Sequence, residues 1–128
     1  MKRDHRVPLS EAAIKVLVKL PRLDGCDFVF PGAKEYKPMS DMTLSAVLKR
    51  MKREDITVHG FRSTFRDWAA EQTAYPNEVA EMALAHVVSN KVEAAYRRGD
   101  LLDKRIKMMT DWSDFLNNAG EQDAKVHS

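Results

Sequence analysis

Helical spacing dominates the hydrophobic pattern. Ser10 stands where a helix cap is needed, Glu11 follows in the first turn, and Ala13, Ile14, Leu17, Val18 and Leu20 recur on one side until Pro21 stops the run. Residues 21–39 hold three prolines and two glycines around the apolar run Phe28-Val29-Phe30, which predicts a loop, a brief buried strand and a second loop. Ser40 or Asp41 then caps a helix with Leu44, Val47, Leu48 and Met51 on one face. After His59 and Gly60, the residues Phe61, Phe65, Trp68 and Ala69 recur at i, i+4, i+7 and i+8, the stripe of another helix.

The second half continues in the same way. Pro76 opens a helix at its first turn, with Val79, Met82, Ala83 and Leu84 as its buried side. Ser89 or Asn90 caps the next, which carries Val92, Ala95 and Tyr96 and ends at Gly99. Residues 101–118 make a last amphipathic helix with Leu102, Ile106, Met109, Trp112 and Phe115 as its stripe. The polar tail, residues 119–128, reads as frayed, so a domain over residues 1–118 is expected with a disordered extension. Residues 5–9 read as a short strand, with Pro8 confining it to a sheet edge. The fold class is therefore mainly α with a small β element, α+β.

Composition narrows the partners only a little. With 21 Lys and Arg against 19 Asp and Glu, the net charge is +2 over 128 residues, which permits a nucleic-acid partner without demanding one. The basic residues cluster: Lys49, Arg50, Lys52 and Arg53 end one helix, Arg66 shares a stripe with Arg62, and Arg97 and Arg98 follow Tyr96. Cys26 is the only cysteine, which excludes an internal disulfide and a cysteine-based zinc module. No apolar run approaches the roughly 20 residues that span a bilayer, and the N-terminus has no apolar signal core. A cytoplasmic location and no membrane partner are expected.

Four residues carry candidate chemistry. Cleaving a phosphodiester without a metal needs cationic donors on the non-bridging oxygens, an in-line nucleophile and a proton donor for the leaving oxygen. Arg62, one turn into a helix, can make bidentate hydrogen bonds to phosphate at that helix's N-terminus. His59, three positions earlier, offers an imidazole to the same phosphate or to the nucleophile's proton, and His86 offers a second donor. Tyr96, ten positions after His86, supplies a phenolic oxygen, weak at neutral pH unless a base or cationic field helps it.

Each of these has an ordinary alternative. His59 can be a cap, Arg62 a surface arginine, His86 a core or capping histidine, and Tyr96 a half-buried helix residue beside two solvated arginines. A metal held by His59 and His86 lacks a third ligand at a recognisable spacing, so neither metal nor cofactor is expected.

The combination resembles a known family. Val58-His59-Gly60-Phe61-Arg62-Ser63-Thr64-Phe65-Arg66, Leu84-Ala85-His86 and Glu93-Ala94-Ala95-Tyr96, in that order, resemble the C-terminal part of a tyrosine recombinase catalytic domain of the prophage integrase type. His5-Arg6-Val7-Pro8-Leu9-Ser10 resembles the strand before the first helix, and Trp112-Ser113-Asp114-Phe115-Leu116 the closing helix. The resemblance implies a partial catalytic domain acting on double-stranded DNA at attachment sites. It makes Tyr96 the nucleophile of a 3'-phosphotyrosyl link, Arg62 the second phosphate-clamping arginine, His59 the proton-transfer residue and His86 the transition-state donor. The family's first catalytic arginine finds no counterpart in these residues, and Lys2 stands too close to Val7 to match its lysine. The isolated chain is expected to be inactive or weak. The rival expectations are a non-catalytic DNA-binding fragment and a self-association module built on residues 101–116.

Overall fold

The computed structural model describes residues 4–34, 36–86 and 99–126. Ser10 caps the first helix as its chemistry requires: Oγ accepts the Ala13 N–H at 3.2 Å, and α1 covers Glu11–Val18. Helix α2 spans Thr43–Arg50, α3 Val58–Gln72, α4 Asn77–Ala83 and α5 Leu102–Val126. The mainly helical expectation holds. The helix expected at residues 89–98, with Tyr96, Arg97 and Arg98, lies outside the described residues, as does Lys2.

The small β element is not seen among the described residues. Residues 5–9 form no strand, and after Phe28 the described chain holds only an isolated antiparallel bridge between Pro31 and Pro38. Phe28 and Phe30, expected to be buried, are exposed. A strand is stable only when its backbone N–H and C=O groups pair along a neighbouring strand, and neither segment has such a strand among the described residues; prolines at both bridge positions also remove two donors.

The core lies between α3, α4 and α5. Phe65, Trp68 and Ala69 of α3 pack with Val79 and Ala80 of α4 and Met108 of α5, all buried. Around them Phe65, Trp68, Trp112 and Phe115 form an aromatic cluster, with Trp112 edge-on to Phe65 at 5.3 Å between ring centres and stacked on Phe115 at 5.7 Å. Two expected stripes are shifted. Phe61 is 56% exposed, and on α5 Ile106 is 47% exposed while Arg105 and Met108 are fully buried. The inward face of α5 is thus centred on an arginine, which an apolar pattern cannot announce.

Helices α1 and α2 contribute no buried residue. Ile14, Val16 and Val18 of α1 and Leu44 of α2 remain exposed, although the spacing marks Ile14, Val18 and Leu44 as inward-facing. Helix α2 ends in a Schellman turn: Lys52, at φ +58, donates to Lys49 C=O at 3.0 Å, and Arg53 to Leu48 C=O at 2.9 Å. At the other end of the domain α5 does not stop at Asn118, where the stripe runs out, but continues through Ala119 and Gly120 to Val126.

Arg105 ties distant parts of the chain together. Its Nε donates to the Asp100 carbonyl at 2.7 Å and Nη1 to the Arg6 carbonyl at 2.6 Å. Its Nη2 lies 3.2 Å from Asp100 Oδ2, an ionic contact without the alignment of a hydrogen bond. Asp100 in turn accepts from Arg6 Nε and Nη2 at 3.1 and 2.7 Å. Those hydrogen bonds, with the charges of Arg6 and Arg105, outweigh partial desolvation and hold the Asp100 carboxyl below the usual carboxylate range.

Candidate active site

Thr57 starts the helix that carries His59 and Arg62. Its Oγ1 accepts the Gly60 N–H at 3.0 Å, so the capping role open to His59 in the sequence falls to Thr57. Gly60 leaves room for this: a Cβ there would stand 3.1 Å from Thr57 Oγ1. His59 is left exposed in the first turn of α3, where unpaired N–H groups and the helix dipole favour an anion.

Arg62 lies one turn further on and reaches across to the exit of α4. Its Nη2 donates to the Leu84 carbonyl at 2.6 Å. A guanidinium has five N–H donors, so one anchoring bond orients the group and leaves the others for a ligand.

The exit of α4 is a Schellman turn with an unusual residue in it. Ala85, at φ +56, donates to Met82 C=O at 3.1 Å, and His86 donates to Glu81 C=O at 2.9 Å. Alanine in this left-handed conformation costs about 1 kcal/mol, a cost glycine avoids. The turn lifts His86 out of the core, and its side chain is 40% exposed. Neither a core nor a helix-capping side chain describes it.

Glu81 is the residue that the sequence did not single out. One of its carboxylate oxygens contacts Nδ1 of His86, and the other is paired with Nη1 of Arg66. A lone carboxylate inside Val79-Ala80-Glu81-Met82-Ala83-Leu84 was the available signal, since an acid on a mostly apolar face needs partners. The structure therefore brings Arg62, Arg66, Glu81 and His86 together at the α3–α4 junction. Of the basic residues read as DNA contacts, Arg66 is held by Glu81, and Arg53 makes paired hydrogen bonds to Asp55 at 2.9 and 3.0 Å. Lys49, Arg50 and Lys52 are exposed at and beyond the end of α2.

A cleft of about 520 Å³ opens elsewhere, between the end of α3 and α5, lined by Trp68, Thr73, Tyr75, Lys107, Asp111 and Phe115 among others. None of His59, Arg62 and His86 lines it. In its wall Tyr75 donates to Asp111, and burial together with that carboxylate pushes the phenol up to about 12. Among the described residues no group of three or more His, Cys, Asp or Glu is placed to hold a metal ion, and no helix is long and apolar enough to cross a membrane.

Comparison with known proteins gives a family match over most of the chain. The Phage integrase family matches residues 1–101. The prophage integrase IntA of Escherichia coli K12 is 41% identical over 122 residues, covering 93% of this chain and 29% of the relative. The integrase of Enterobacteria phage P4 is 34% identical over 123 residues, covering 91% and 28%, and that of Shigella phage Sf6 is 32% identical over 117, covering 88% and 30%. The chain thus spans less than a third of the length of these relatives. No solved structure matches it.

Proposed function

The chain belongs to the phage integrase family, and from that premise we propose that it carries the tyrosine half of a site-specific DNA recombination site. The observation that supports this most is the Arg62–Leu84 hydrogen bond, which sets a phosphate-binding guanidinium beside the turn that bears His86. In the reaction the Tyr96 phenolic oxygen attacks the scissile phosphorus. A phosphorus–oxygen bond to tyrosine forms as the bond to the 5' oxygen breaks, leaving a 3'-phosphotyrosyl link. The phenolic proton passes to a base, a role that falls to His59, and the departing 5' oxygen gains a proton and becomes a hydroxyl. Attack of that hydroxyl on a partner strand's link reverses the chemistry and exchanges strands, with no net input of energy.

Arg62 and His86 act on the non-bridging oxygens, whose negative charge grows in the transition state. One such donor is worth about 3–4 kcal/mol by analogy with a single oxyanion-hole donor. The 128 residues alone are inactive or weak, because a further arginine and lysine belong to the family's set. The uncovered apolar faces of α1 and α2 agree with a role as part of a larger catalytic domain. Lys49, Arg50, Lys52, Arg97 and Arg98 grip the DNA backbone, and Arg53 and Arg66 contribute less because they already hold carboxylates. Exposed Ile106 and Leu116 on α5 favour self-association through that helix, a second property that sedimentation over a concentration series tests.

Covalent trapping tests the proposal. A pool of duplexes nicked near a randomised cleavage region should give a protein–DNA adduct that maps to Tyr96. An adduct elsewhere on the chain would count against it.

A further inference from the structure

Glu81 contacts His86 twice. The His86 backbone N–H donates to the Glu81 carbonyl at 2.9 Å, and its Nδ1 meets the Glu81 carboxylate. An ionised carboxylate only accepts hydrogen bonds, so Nδ1 must be the donor and must carry the proton. The neutral ring is then the Nδ1–H tautomer, with Nε2 on its far side. The second carboxylate oxygen is held by Arg66, one turn beyond Arg62 on α3, so Glu81 is itself fixed from two sides. Its side chain is 19% exposed while those of Arg66 and His86 are 44% and 40% exposed, which puts the carboxylate at the sheltered centre of the three.

We infer that Glu81, locked by Arg66, is a positioning residue that sets the tautomer and direction of His86 and so presents Nε2 to the DNA phosphate. This rests on the reading of His86 as a phosphate-facing donor. Glu81 touches no DNA in this scheme; it acts through His86. The logic is that of a carboxylate behind a histidine ligand, where loss of the outer partner commonly lowers function about 10–100-fold. A ring free to rotate, or one in the opposite tautomer, spends only part of its time with the correct nitrogen outward. Arg66 then belongs to the positioning shell, and its contribution to DNA affinity is secondary.

Nitrogen-15 NMR of the imidazoles in the 128-residue chain reads the tautomer directly. At mildly alkaline pH, wild-type His86 should show a protonated Nδ1 and an unprotonated Nε2. Glu81→Asp, which keeps the charge, should retain that form. Glu81→Gln, whose amide can donate or accept, should shift His86 toward the Nε2–H form common in free histidine. A wild-type spectrum with the proton on Nε2 overturns the inference, whether or not the variants fold. Unchanged His86 shifts in a folded Glu81→Gln protein overturn it as well.

The functional arm uses the nicked duplex pool. Glu81→Gln should slow trapping about 10–100-fold with DNA retention unchanged, and should add nothing in a His86→Ala background. Equal losses in both backgrounds would show that Glu81 acts otherwise than through His86. If His86→Ala leaves trapping intact, the catalytic reading of His86 fails, whereas a tautomer shift in Glu81→Gln still stands by itself.

Discussion

The Arg62 guanidinium donates to the Leu84 carbonyl at 2.6 Å, across 22 positions of sequence. The bond joins the first turns of α3 to the exit of α4, and His86 is two residues past the acceptor. A cation and an imidazole from separate motifs are thereby held on one surface. Under the proposed function these two groups bind the oxygens of one phosphate.

Replacing Arg62 should therefore damage chemistry more than folding. Arg62→Ala is expected to lower the trapping rate about 100–1000-fold, the loss associated with one oxyanion donor. Arg62→Lys should recover little, since a single ammonium cannot hold the Leu84 carbonyl and a phosphate together in the geometry of a planar fork. Single-turnover trapping at saturating DNA measures both, with thermal unfolding as the control. A lysine variant of wild-type rate would remove the bidentate role.

Arg105 should matter to stability. Arg105→Met keeps much of the buried volume but removes two hydrogen bonds from a charged donor, each worth about 1.5–3 kcal/mol. A lowered urea midpoint is expected, and a smaller change for Arg6→Ala, whose guanidinium is largely exposed. A midpoint unmoved by Arg105→Met would mean that the clasp contributes nothing.

Asp100 gives that clasp a pH dependence. Its folded carboxyl lies below the unfolded value of about 3.9, so its contribution is fully present above that pH and fades as pH falls through the folded value. Asp100→Asn should lose stability at neutral pH and show a flatter acid limb. Denaturant midpoints from neutral pH down to about pH 3 check the sign. An acid limb as steep as that of the wild type would assign it to other carboxylates.

The turn at Ala85 offers a backbone test. Ala85→Gly should fold as well as the parent or gain up to about 1 kcal/mol, because it removes the left-handed penalty at φ +56. Ala85→Val should destabilise by more than that, since a β-branched residue tolerates this conformation least. Thermal unfolding of the pair orders the three proteins; a valine variant as stable as the glycine one would contradict the turn.

Tyr75 should ionise late. Burial and the Asp111 carboxylate raise it to about 12, so the stability it lends by staying protonated is complete below about pH 10 and is lost as pH rises through 12. Ultraviolet titration should show a late step that Tyr75→Phe removes. Its persistence in that variant would place the raised phenol elsewhere.

Much of this was legible in the sequence, for identifiable reasons. The Ser10 cap and the Phe65, Trp68, Ala69 and Trp112, Phe115 faces follow from local chemistry and periodicity, and all appear, whereas α1 ends at Val18, short of Leu20 and the stop expected at Pro21. What failed required partners distant in sequence. Residues 5–9 have a strand's composition and no strand to pair with among the described residues. The face of α5 turned about Arg105 because Asp100 and the Arg6 carbonyl neutralise a buried guanidinium and accept from its Nε and Nη1, which no count of apolar residues reveals. Glu81 escaped notice because its significance lies in Arg66 and His86, one on another helix and one beyond a turn. The identities of Arg62 and His86 were visible in their motifs, but the Leu84 carbonyl that joins them was not.

The most direct measurement is covalent trapping on the nicked, randomised duplex pool by the wild-type chain and Tyr96→Phe, with peptide mapping of the adduct. A slow adduct carried on Tyr96 and absent from Tyr96→Phe is the predicted result. An adduct of equal yield in Tyr96→Phe, or one mapped to another residue, would contradict the account.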